Sequence, residues 1–244
     1  MKHSYIKGII HSNIQISTNI YELKIKSEDI DGRPGQFYMI RGWELDPFLS
    51  RPISICDISN GMMTFLYEVM GKGTHIISNL KKGDTLELLG PLGNGFDFDL
   101  KGNIAIISGG IGIAPMIYLI KELQANIDFY CGFRNEVYYI DKLKKYVSNV
   151  YISTENGSVG HKGFVTELFI PEKYDAVLTC GPIPMMKAVA EICEDKVPVY
   201  ISMENRMACG VGACLGCTIE TTSGMKRVCK DGPVFTGEEV FFND

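Results

Sequence analysis

Residues 103–115 read NIAIISGGIGIAP, an apolar run followed by a glycine turn and a proline. A buried strand, a tight turn and a helix that begins near Pro115 account for this order of residues. The nineteen uncharged residues between Lys101 and Lys121 are numerous enough to span a bilayer, but four of them are glycine and Pro115 lies among them. The segment therefore predicts a strand, a turn and a helix rather than a membrane span.

The same alternation of strand and helix patterns continues to residue 203. Short apolar runs predict further strands over 127–132, 149–153, 175–180 and 197–203. Helical patterns between the strands are clearest over 115–124 and 184–194. Strands that alternate with helices predict a parallel, doubly wound α/β sheet.

The chain before residue 99 has a different pattern. Its β-branched and aromatic runs are short and closely spaced, and they predict strands over 14–16, 21–25, 37–40, 52–58 and 62–69. Asp31-Gly32 and Asn60-Gly61 have the composition of two-residue hairpin turns. This part of the chain predicts a small antiparallel β-barrel or sandwich, so the whole is expected to be a multidomain β plus α/β protein.

Composition sets limits on size, location and partners. A chain of 244 residues exceeds what one hydrophobic core usually spans, so two or three domains are expected. The 24 Lys and Arg residues against 29 Asp and Glu give a net charge of −5, without a basic run, which argues against nucleic-acid and membrane partners. The first residues, MKHSYIKGII, lack the features of a secretory signal and predict a cytoplasmic protein.

Four of the eight cysteines lie within residues 209–229. Cys209, Cys214 and Cys217 have the spacing C-x4-C-x2-C, and Cys229 follows at a distance, as in plant-type [2Fe-2S] ferredoxins. The interleaved glycines permit tight turns that direct backbone N–H groups at sulfur atoms. A structural zinc site is the alternative, although zinc sites usually pair two short cysteine knuckles.

Two turns at predicted strand ends are candidate nucleotide-binding elements. Gly109, Gly110 and Gly112 precede a helix, whose free N–H groups and positive dipole end suit a pyrophosphate. The second turn contains Cys180, Gly181 and Pro182. Such turns border the crevice where ligands bind in open α/β sheets. A tight turn without a ligand is the alternative for the first, and simple packing is the alternative for Cys180.

Two motifs in the predicted barrel can hold a flavin nucleotide. Residues 51–54, Arg-Pro-Ile-Ser, combine a guanidinium group that can hold a phosphate with a hydroxyl group that can reach a ring. Residues 71–74, Gly-Lys-Gly-Thr, offer backbone N–H groups, a hydroxyl and the charge of Lys72. Neither motif is specific alone, and an isolated Arg-Pro pair at a strand start is most often structural.

Taken in order, R-P-x-S, G-x-G-T, G-G-x-G-x-A-P and C-G-P resemble the ferredoxin reductase superfamily of flavoproteins over the whole chain. Residues 204–217, ENRMACGVGACLGC, and 228–235, VCKDGPVF, resemble one branch, the electron-transfer subunits of type B dihydroorotate dehydrogenase. The resemblance implies an FAD-binding β-barrel over 1–98, an NAD-binding α/β domain over 99–203 and a small [2Fe-2S] domain over 204–244.

The resemblance also implies a set of site residues. FAD would contact Arg51, Pro52, Ile53, Ser54, Leu66, Tyr67, Glu68, Gly73 and Thr74. The ligands of the [2Fe-2S] cluster would be Cys209, Cys214, Cys217 and Cys229. Relatives often carry a basic residue at position 68, so Glu68 departs from the family pattern. The interval between Cys217 and Cys229 is shorter than usual in the family and indicates a trimmed hairpin.

The family's role is a chain of redox centres in pyrimidine (UMP) biosynthesis. Dihydroorotate reduces FMN in a separate catalytic subunit, electrons cross the [2Fe-2S] cluster to FAD, and FAD passes hydride to NAD+. The resemblance thus implies an oxidoreductase subunit, a catalytic FMN partner and a heterotetramer with two copies of each chain. The three modules leave no length for a βα-barrel, so dihydroorotate oxidation is expected on the partner.

Two other functions are compatible with the same modules. One is a flavin and iron–sulfur subunit of an NAD(P)H:ferredoxin oxidoreductase or of a sulfide or sulfite reductase, because a fold does not fix the partner. The other is a non-enzymatic sensor or scaffold whose cluster is structural or regulatory. Bound FAD would discriminate against the sensor.

Residues 153–155, Ser-Thr-Glu, bear on the choice of nicotinamide nucleotide. In NADP-dependent relatives a Ser-Arg pair near this position holds the 2′-phosphate. Thr154 lacks a guanidinium group and Glu155 would repel a phosphate dianion, so we expect NAD(H) to be preferred over NADP(H).

The glycine-rich surface from Cys209 to Cys217 is the expected docking surface for the catalytic partner. Its apolar residues Val211 and Leu215 would help to exclude water there. The alternative is that both side chains pack under the cysteine loop.

Overall fold

The computed structural model describes residues 4–96 and 99–242. The described strands are β1 (Ser4–Ser17), β2 (Ile20–Lys26), β3 (Phe37–Arg41), β4 (Arg51–Ser59), β5 (Met62–Glu68), β6 (Thr85–Leu92), β7 (Asn103–Gly109), β8 (Asn126–Phe133), β9 (Asn149–Thr154), β10 (His161–Lys162), β11 (Ala176–Cys180), β12 (Val199–Ser202), β13 (Thr218–Thr221), β14 (Gly224–Arg227) and β15 (Val234–Thr236). The helices are α1 (Lys72–Asn79), α2 (Ile113–Glu122), α3 (Ile140–Leu143), α4 (Ile183–Cys193) and α5 (Gly237–Phe241). Within these residues no helix has the length and apolar character that a bilayer crossing requires.

The N-terminal part forms a closed antiparallel barrel with strand order β1-β2-β5-β4-β3-β6. Residues alternate in and out along β1, where Ile6, Gly8 and Ile10 are buried and Lys7 and Ile9 between them are exposed. Helix α1 connects β5 to β6. The predicted antiparallel barrel is confirmed.

The two predicted hairpin turns of the barrel have different outcomes. Asn60 and Gly61 both have positive φ angles, of 52° and 68°, as a two-residue turn between β4 and β5 requires. At Asp31-Gly32 the prediction is wrong. The chain there leads from β2 to β3, and these strands are not neighbours in the barrel.

The second part is a seven-stranded sheet with order β10-β9-β8-β7-β11-β12-β15, in which only β15 is antiparallel to its neighbour. Helices α2 and α4 cover its two faces, so six of the seven residues of the central strand β7 are buried. The predicted doubly wound sheet is confirmed. The two edge strands β10 and β15 were not predicted.

The cysteine-rich segment leaves the sheet after β12 and returns to it as β15. Between them it forms the loop of residues 203–217 and the hairpin β13–β14, which occupies the interval between Cys217 and Cys229. Cys217 and Cys229 are buried with β3, β6 and α4 in one apolar core. The predicted boundaries of the three domains stay predictions, and the sheet includes a strand from the segment after residue 204.

Ion pairs and hydrogen bonds join the barrel to the α/β domain. The Nζ atom of Lys142 lies 2.7 Å from a carboxylate oxygen of Glu22 on β2. The Nζ atom of Lys121 on α2 lies 2.7 Å from a carboxylate oxygen of Asp57 on β4. Glu136 accepts hydrogen bonds of 2.9 Å from the backbone and the hydroxyl of Thr18. Apolar side chains of the barrel and of α2 also pack together in one core.

Candidate functional site

A cavity of about 320 Å³ lies where the barrel, the α/β sheet and the cysteine-rich segment meet. Eight of the nine residues that the resemblance assigns to FAD line it, namely Arg51, Pro52, Ile53, Ser54, Leu66, Tyr67, Glu68 and Thr74. They come from the start of β4, the end of β5 and the first turn of α1. A concave, largely apolar site with a few convergent polar groups is suited to an aromatic cofactor.

Gly73, the ninth predicted FAD residue, lies behind Arg51 rather than in the cavity wall. A Cβ atom on Gly73 would lie 2.7 Å from Arg51 Nε and 2.8 Å from Cζ. Glycine is therefore needed for the guanidinium group to pack on the first turn of α1. Thr74 shapes the same turn, because its hydroxyl accepts from the N–H groups of Met70 and Gly71. The arrangement brings a guanidinium group and a helix N-terminus together, a combination that suits a phosphate.

Two carboxyl groups, Glu68 and Glu204, face the cavity. Glu204 follows β12. Its side chain lies among protein atoms and is reached by solvent through the cavity. Burial raises the pKa of Glu204, and the nearby charge of Glu68 raises it further. Glu68 thus places a second acid beside this carboxyl.

The predicted nucleotide turns lie side by side at the carboxyl ends of β7 and β11, where Ser108 pairs with Cys180. A Cβ on Gly112 would clash with the Cys180 carbonyl, and one on Gly109 would lie 2.8 Å from Met185 Sδ. A Cβ on Gly181 would meet the Gly109 N–H. Packing of the two turns therefore accounts for these three glycines.

Gly110 is the glycine that packing does not explain. It has a φ angle of +54°, and nothing lies within 4 Å of the position that its Cβ would take. The next residues lead to Ile111 and Ala114, which line the flavin cavity. The turn thus has open space at Gly110. It also joins the nucleotide crevice to the flavin cavity, as hydride transfer between a nicotinamide and a flavin requires.

Pro182 and Cys180 have different positions at this crevice. Pro182 is the residue before α4, and Cys180 is fully buried. Burial raises the pKa of the Cys180 thiol, and the charge of Glu204 acts in the same direction. Cys180 is absent from the cavity wall, so a contact with a flat ring stays a prediction.

Backbone N–H groups of the 203–217 loop and of Cys229 point at all four predicted cluster ligands. Gly212 donates to Cys229 Sγ (3.1 Å), Ala213 to Cys209 Sγ (3.3 Å), Gly216 to Cys214 Sγ (3.5 Å), and the Cys229 N–H to Cys217 Sγ (3.4 Å). Such donors stabilise thiolate and sulfide charge. Gly210 and Gly212 have positive φ angles of 72° and 81°, which agrees with the tight turns expected there.

The four thiols lie as two pairs, Cys209 with Cys214 and Cys217 with Cys229. Among residues 4–96 and 99–242, no three His, Cys, Asp or Glu side chains are arranged to hold a single metal ion. Burial opposes ionisation of Cys209, but N–H groups of Cys214, Val211 and Ala213 outweigh it and lower its pKa to about 6. Two thiol pairs with N–H donors fit a [2Fe-2S] cluster, in which each iron takes two cysteines.

Some residues of the cavity were not predicted. Met70, Ile111, Ala114, Asn205 and Met207 line it together with Glu204. The signal for residues 204–207 was available, because they follow the carboxyl end of β12, and ligands bind at the carboxyl ends of parallel strands.

Solved structures that share this architecture include ferredoxin reductases. A chain of an NADH-dependent reduced ferredoxin-NADP oxidoreductase matches with a TM-score of 0.87 and 32% identity, covering 96% of this chain and 89% of that one. The ferredoxin reductase of carbazole 1,9a-dioxygenase shares the fold, with a TM-score of 0.70 and 19% identity over 82% of this chain and 69% of that one. Fold and site together define a ferredoxin reductase-like flavoprotein with an iron–sulfur segment.

The particular family follows from the cysteine-rich segment and from relatives of the same length. The iron–sulfur cluster binding domain of dihydroorotate dehydrogenase B matches residues 204–241. The dihydroorotate dehydrogenase B (NAD(+)) electron transfer subunit of Clostridium acetobutylicum is 53% identical over 100% of both chains. That of Clostridium perfringens is 49% identical over 99% of this chain and 100% of its own. The chain belongs to this family of electron transfer subunits.

Proposed function

We propose that the chain is the electron transfer subunit of a dihydroorotate dehydrogenase B in pyrimidine (UMP) biosynthesis. It takes electrons from the FMN of a catalytic partner and delivers them to NAD+ through a [2Fe-2S] cluster and FAD. The observation that supports this most directly is the continuity of the flavin cavity with the cysteine loop. Asn205 and Met207 line the cavity, and Cys209 follows two residues later. Electron transfer depends on such proximity.

Each group has residues that fit it. Bound FAD supplies the ability to exchange single electrons with iron and a hydride with a nicotinamide. Arg51 and the start of α1 would hold its pyrophosphate, and the residues from Pro52 to Ser54 would border its ring. The two cysteine pairs would hold the cluster, and the turns at Gly110 and Gly181 would receive NAD+. The barrel and sheet keep these sites at fixed separations.

The catalytic partner is expected to cover the cysteine loop. Leu215 is 63% exposed, and its backbone has a φ of +60°, in the left-handed region, next to Cys214. Val211 is also exposed. An apolar side chain held outward beside a cluster ligand suits an interface that excludes water. We propose a cytoplasmic heterotetramer with two copies of each chain.

Co-expression with a dihydroorotate-oxidising FMN subunit tests this function. Dihydroorotate-dependent reduction of NAD+ should appear only with both chains present. Leu215→Glu should weaken co-purification of the partner and leave NADH-dependent dye reduction nearly unchanged, whereas Ile170→Glu, at an exposed residue of the α/β domain, should affect neither. Orotate formation by the isolated chain would contradict the proposal.

A ferredoxin-linked oxidoreductase subunit is the second candidate. It is favoured by the match to the oxidoreductase chain at 32% identity over nearly the whole length. The higher identity of the dihydroorotate dehydrogenase relatives argues for the first candidate. Reduction of ferredoxin, with no dihydroorotate-dependent activity beside an active FMN subunit, would favour the second.

A further inference from the structure

The connection between β8 and α3, residues 134–139, touches both halves of the molecule and is here called the 134–139 segment. Its first residues lie against residues 155–160, the connection between β9 and β10, here called the 155–160 loop. Asn135 accepts hydrogen bonds from the side-chain amide of Asn156 at 3.2 Å and from the Ser158 hydroxyl at 3.1 Å. Ligands of open α/β sheets bind at the carboxyl ends of the strands, so the segment holds a loop that borders the nucleotide crevice.

Glu136, the next residue of the segment, is bonded to the barrel. Its carboxylate accepts hydrogen bonds from the N–H and the hydroxyl of Thr18, both at 2.9 Å, and from the Ser17 hydroxyl. Ser17 ends β1, and Thr18 begins the turn to β2. The hydrogen bonds from Ser17 and Thr18 lower the pKa of Glu136, so the group is a carboxylate at neutral pH and the bonds are charge-assisted. Ordering an exposed glutamate costs side-chain entropy, and three donors on one carboxylate offset that cost.

The turn between β1 and β2 leads directly to the flavin cavity. Asn19 follows Thr18 and has a φ angle of 60°, and its carbonyl accepts a hydrogen bond of 2.8 Å from the Val69 N–H. Met70 follows Val69 and lines the cavity. A continuous series of hydrogen bonds and short pieces of chain therefore joins the 155–160 loop, through Glu136 and this turn, to the cavity wall.

Tyr139, the last residue of the segment, is held in an unusual conformation. Its φ angle is 68°, in the left-handed region that aromatic residues rarely adopt. The Lys142 ammonium group lies 4.2 Å from the centroid of its ring and pairs with Glu22 on β2 at 2.7 Å. Such a backbone persists only where the surrounding contacts determine it, and it often marks a functional segment. Contacts with the barrel thus hold the segment at Glu136 and again beside Tyr139.

We propose that Glu136 is a positioning residue for hydride transfer, because it holds the 155–160 loop at a fixed distance from the flavin cavity. A nucleotide bound beside that loop then places its nicotinamide on the flavin ring. The inference rests on the proposed function, since it assumes FAD in the cavity and NAD+ in the crevice. Hydride transfer needs reacting atoms about 3–3.5 Å apart, and a displacement of about 1 Å can slow a reaction roughly hundredfold. Small changes in this contact should therefore affect the transfer step more than binding.

Rapid mixing of the holoprotein with NADH separates positioning from binding. In this direction NADH is oxidised to NAD+ and its hydride, with both electrons, passes to FAD, so the flavin absorption falls. The long-wavelength charge-transfer absorption of a stacked nicotinamide and flavin is recorded in the same experiment. Glu136→Ala should slow the fall in flavin absorption roughly tenfold and weaken the charge-transfer absorption. KM for NADH should stay within about twofold of wild type, because the crevice itself is unchanged.

Three further variants identify the contact that is responsible. Glu136→Gln keeps an oxygen that accepts from Ser17 and the Thr18 N–H, and its amide can donate to the Thr18 hydroxyl, so it should retain most of the rate. Ser17→Ala/Thr18→Val removes two donors from the barrel and should slow the reaction. Combined with Glu136→Ala, it should add little further loss, because both changes break one contact. The control Glu194→Ala, at an exposed glutamate that follows α4, should behave as wild type.

The outcomes are distinct. An unchanged rate of flavin reduction in Glu136→Ala would show that the contact does not set the position of the nucleotide. Loss of FAD or iron together with the rate would make Glu136 a structural residue, and fully additive losses would show that Glu136 and the turn act separately. Each of these three results overturns the inference. A wild-type holoprotein whose FAD is not reduced by NADH would instead refute the proposed function.

Discussion

At the scale of single residues, Arg227 connects the two parts of the cysteine site. Its guanidinium donates to both carboxylate oxygens of Asp231, at 2.9 and 3.0 Å, which shapes the turn that carries Cys229. It also donates to the Gly212 carbonyl at 3.2 Å, on the loop whose N–H group faces Cys229. One side chain thus sets the position of the cysteine loop relative to the last predicted ligand.

Arg227→Gln should therefore reduce retention of the cluster. We expect iron and the visible iron–sulfur absorption to fall by half or more after gel filtration, because the three hydrogen bonds that the guanidinium donates to Asp231 and Gly212 are lost. Lys226→Gln removes the same charge from the neighbouring residue and is the control. Equal iron content in both variants would contradict the positioning role of Arg227.

We expect a preference for NADH over NADPH that depends on Glu155. The structure buries Thr154, whose hydroxyl donates to the Val159 carbonyl at 2.9 Å, so it cannot contact a nucleotide, while Glu155 stays exposed after β9. Because like charges placed together repel, the carboxylate of Glu155 should disfavour the 2′-phosphate of NADPH, and kcat/KM should be roughly tenfold or more higher for NADH. Glu155→Gln should lower the ratio of kcat/KM for NADH to kcat/KM for NADPH. Dye reduction with each nucleotide measures it. An unchanged ratio in Glu155→Gln would remove this residue from the explanation.

At the scale of elements, the cysteine loop and the barrel contribute separately to the cofactors. Cys214→Ser should abolish the cluster and loosen residues 203–217, while FAD stays bound because most of the predicted FAD residues belong to β4, β5 and α1. Iron analysis and the flavin spectrum of the same sample measure both. Cys193→Ala, on α4, should keep its iron. Loss of FAD together with the cluster would show that the segment supports the cavity.

The elements also differ in how well they could be predicted. The continuous apolar run of β7 and the Asn60-Gly61 turn are local signals, and both were predicted. The role of Asp31-Gly32 depends on which strands pair, which is a non-local property, so a turn-like composition gave a false hairpin. The two residues of β10 and the three of β15 are too short for any periodicity.

The site shows the same division. Cysteine spacing and the 51–54 motif have chemistry that is visible in the sequence, and the structure brings those residues to one cavity and one loop. Glu204 and Met70 contribute to the cavity only because distant elements meet there. Phosphate binding at Gly109 and Gly112 stays a prediction, and contacts with Met185 and Cys180 also require glycine at these two positions. Close packing of that kind leaves no separate mark in the sequence.

At the scale of the whole molecule, Glu22 couples the barrel to the α/β domain. Burial alone would raise the pKa of Glu22, but its contacts with Lys142 and Lys24, at 2.7 and 3.2 Å, outweigh burial and lower it below 4.5. A carboxyl whose pKa is lower in the folded state stabilises the protein above its unfolded pKa, and this stabilisation is lost as pH falls through the folded pKa.

Glu22→Gln should consequently lower the free energy of unfolding by about 2 kcal/mol at pH 7. The difference from wild type should shrink as the pH falls below 4.5, where the wild-type carboxyl takes up its proton. Denaturant unfolding of the holoprotein across this range measures it. Glu28→Gln, at an exposed position beyond β2, is the control. A deficit that is constant with pH would assign the effect to packing instead of charge.

The pairing of β12 with β15 has a consequence for how such a protein could arise. Ser202 lies opposite Val234, so the chain leaves the sheet and returns to it at one rung of an antiparallel ladder. Everything between is topologically an insertion into a hairpin, with both ends in one place. In evolutionary terms an ancestral flavin reductase could have acquired its iron–sulfur module by a single insertion, and a descendant could lose the module by a single deletion. Neither event would change the strand order of the sheet.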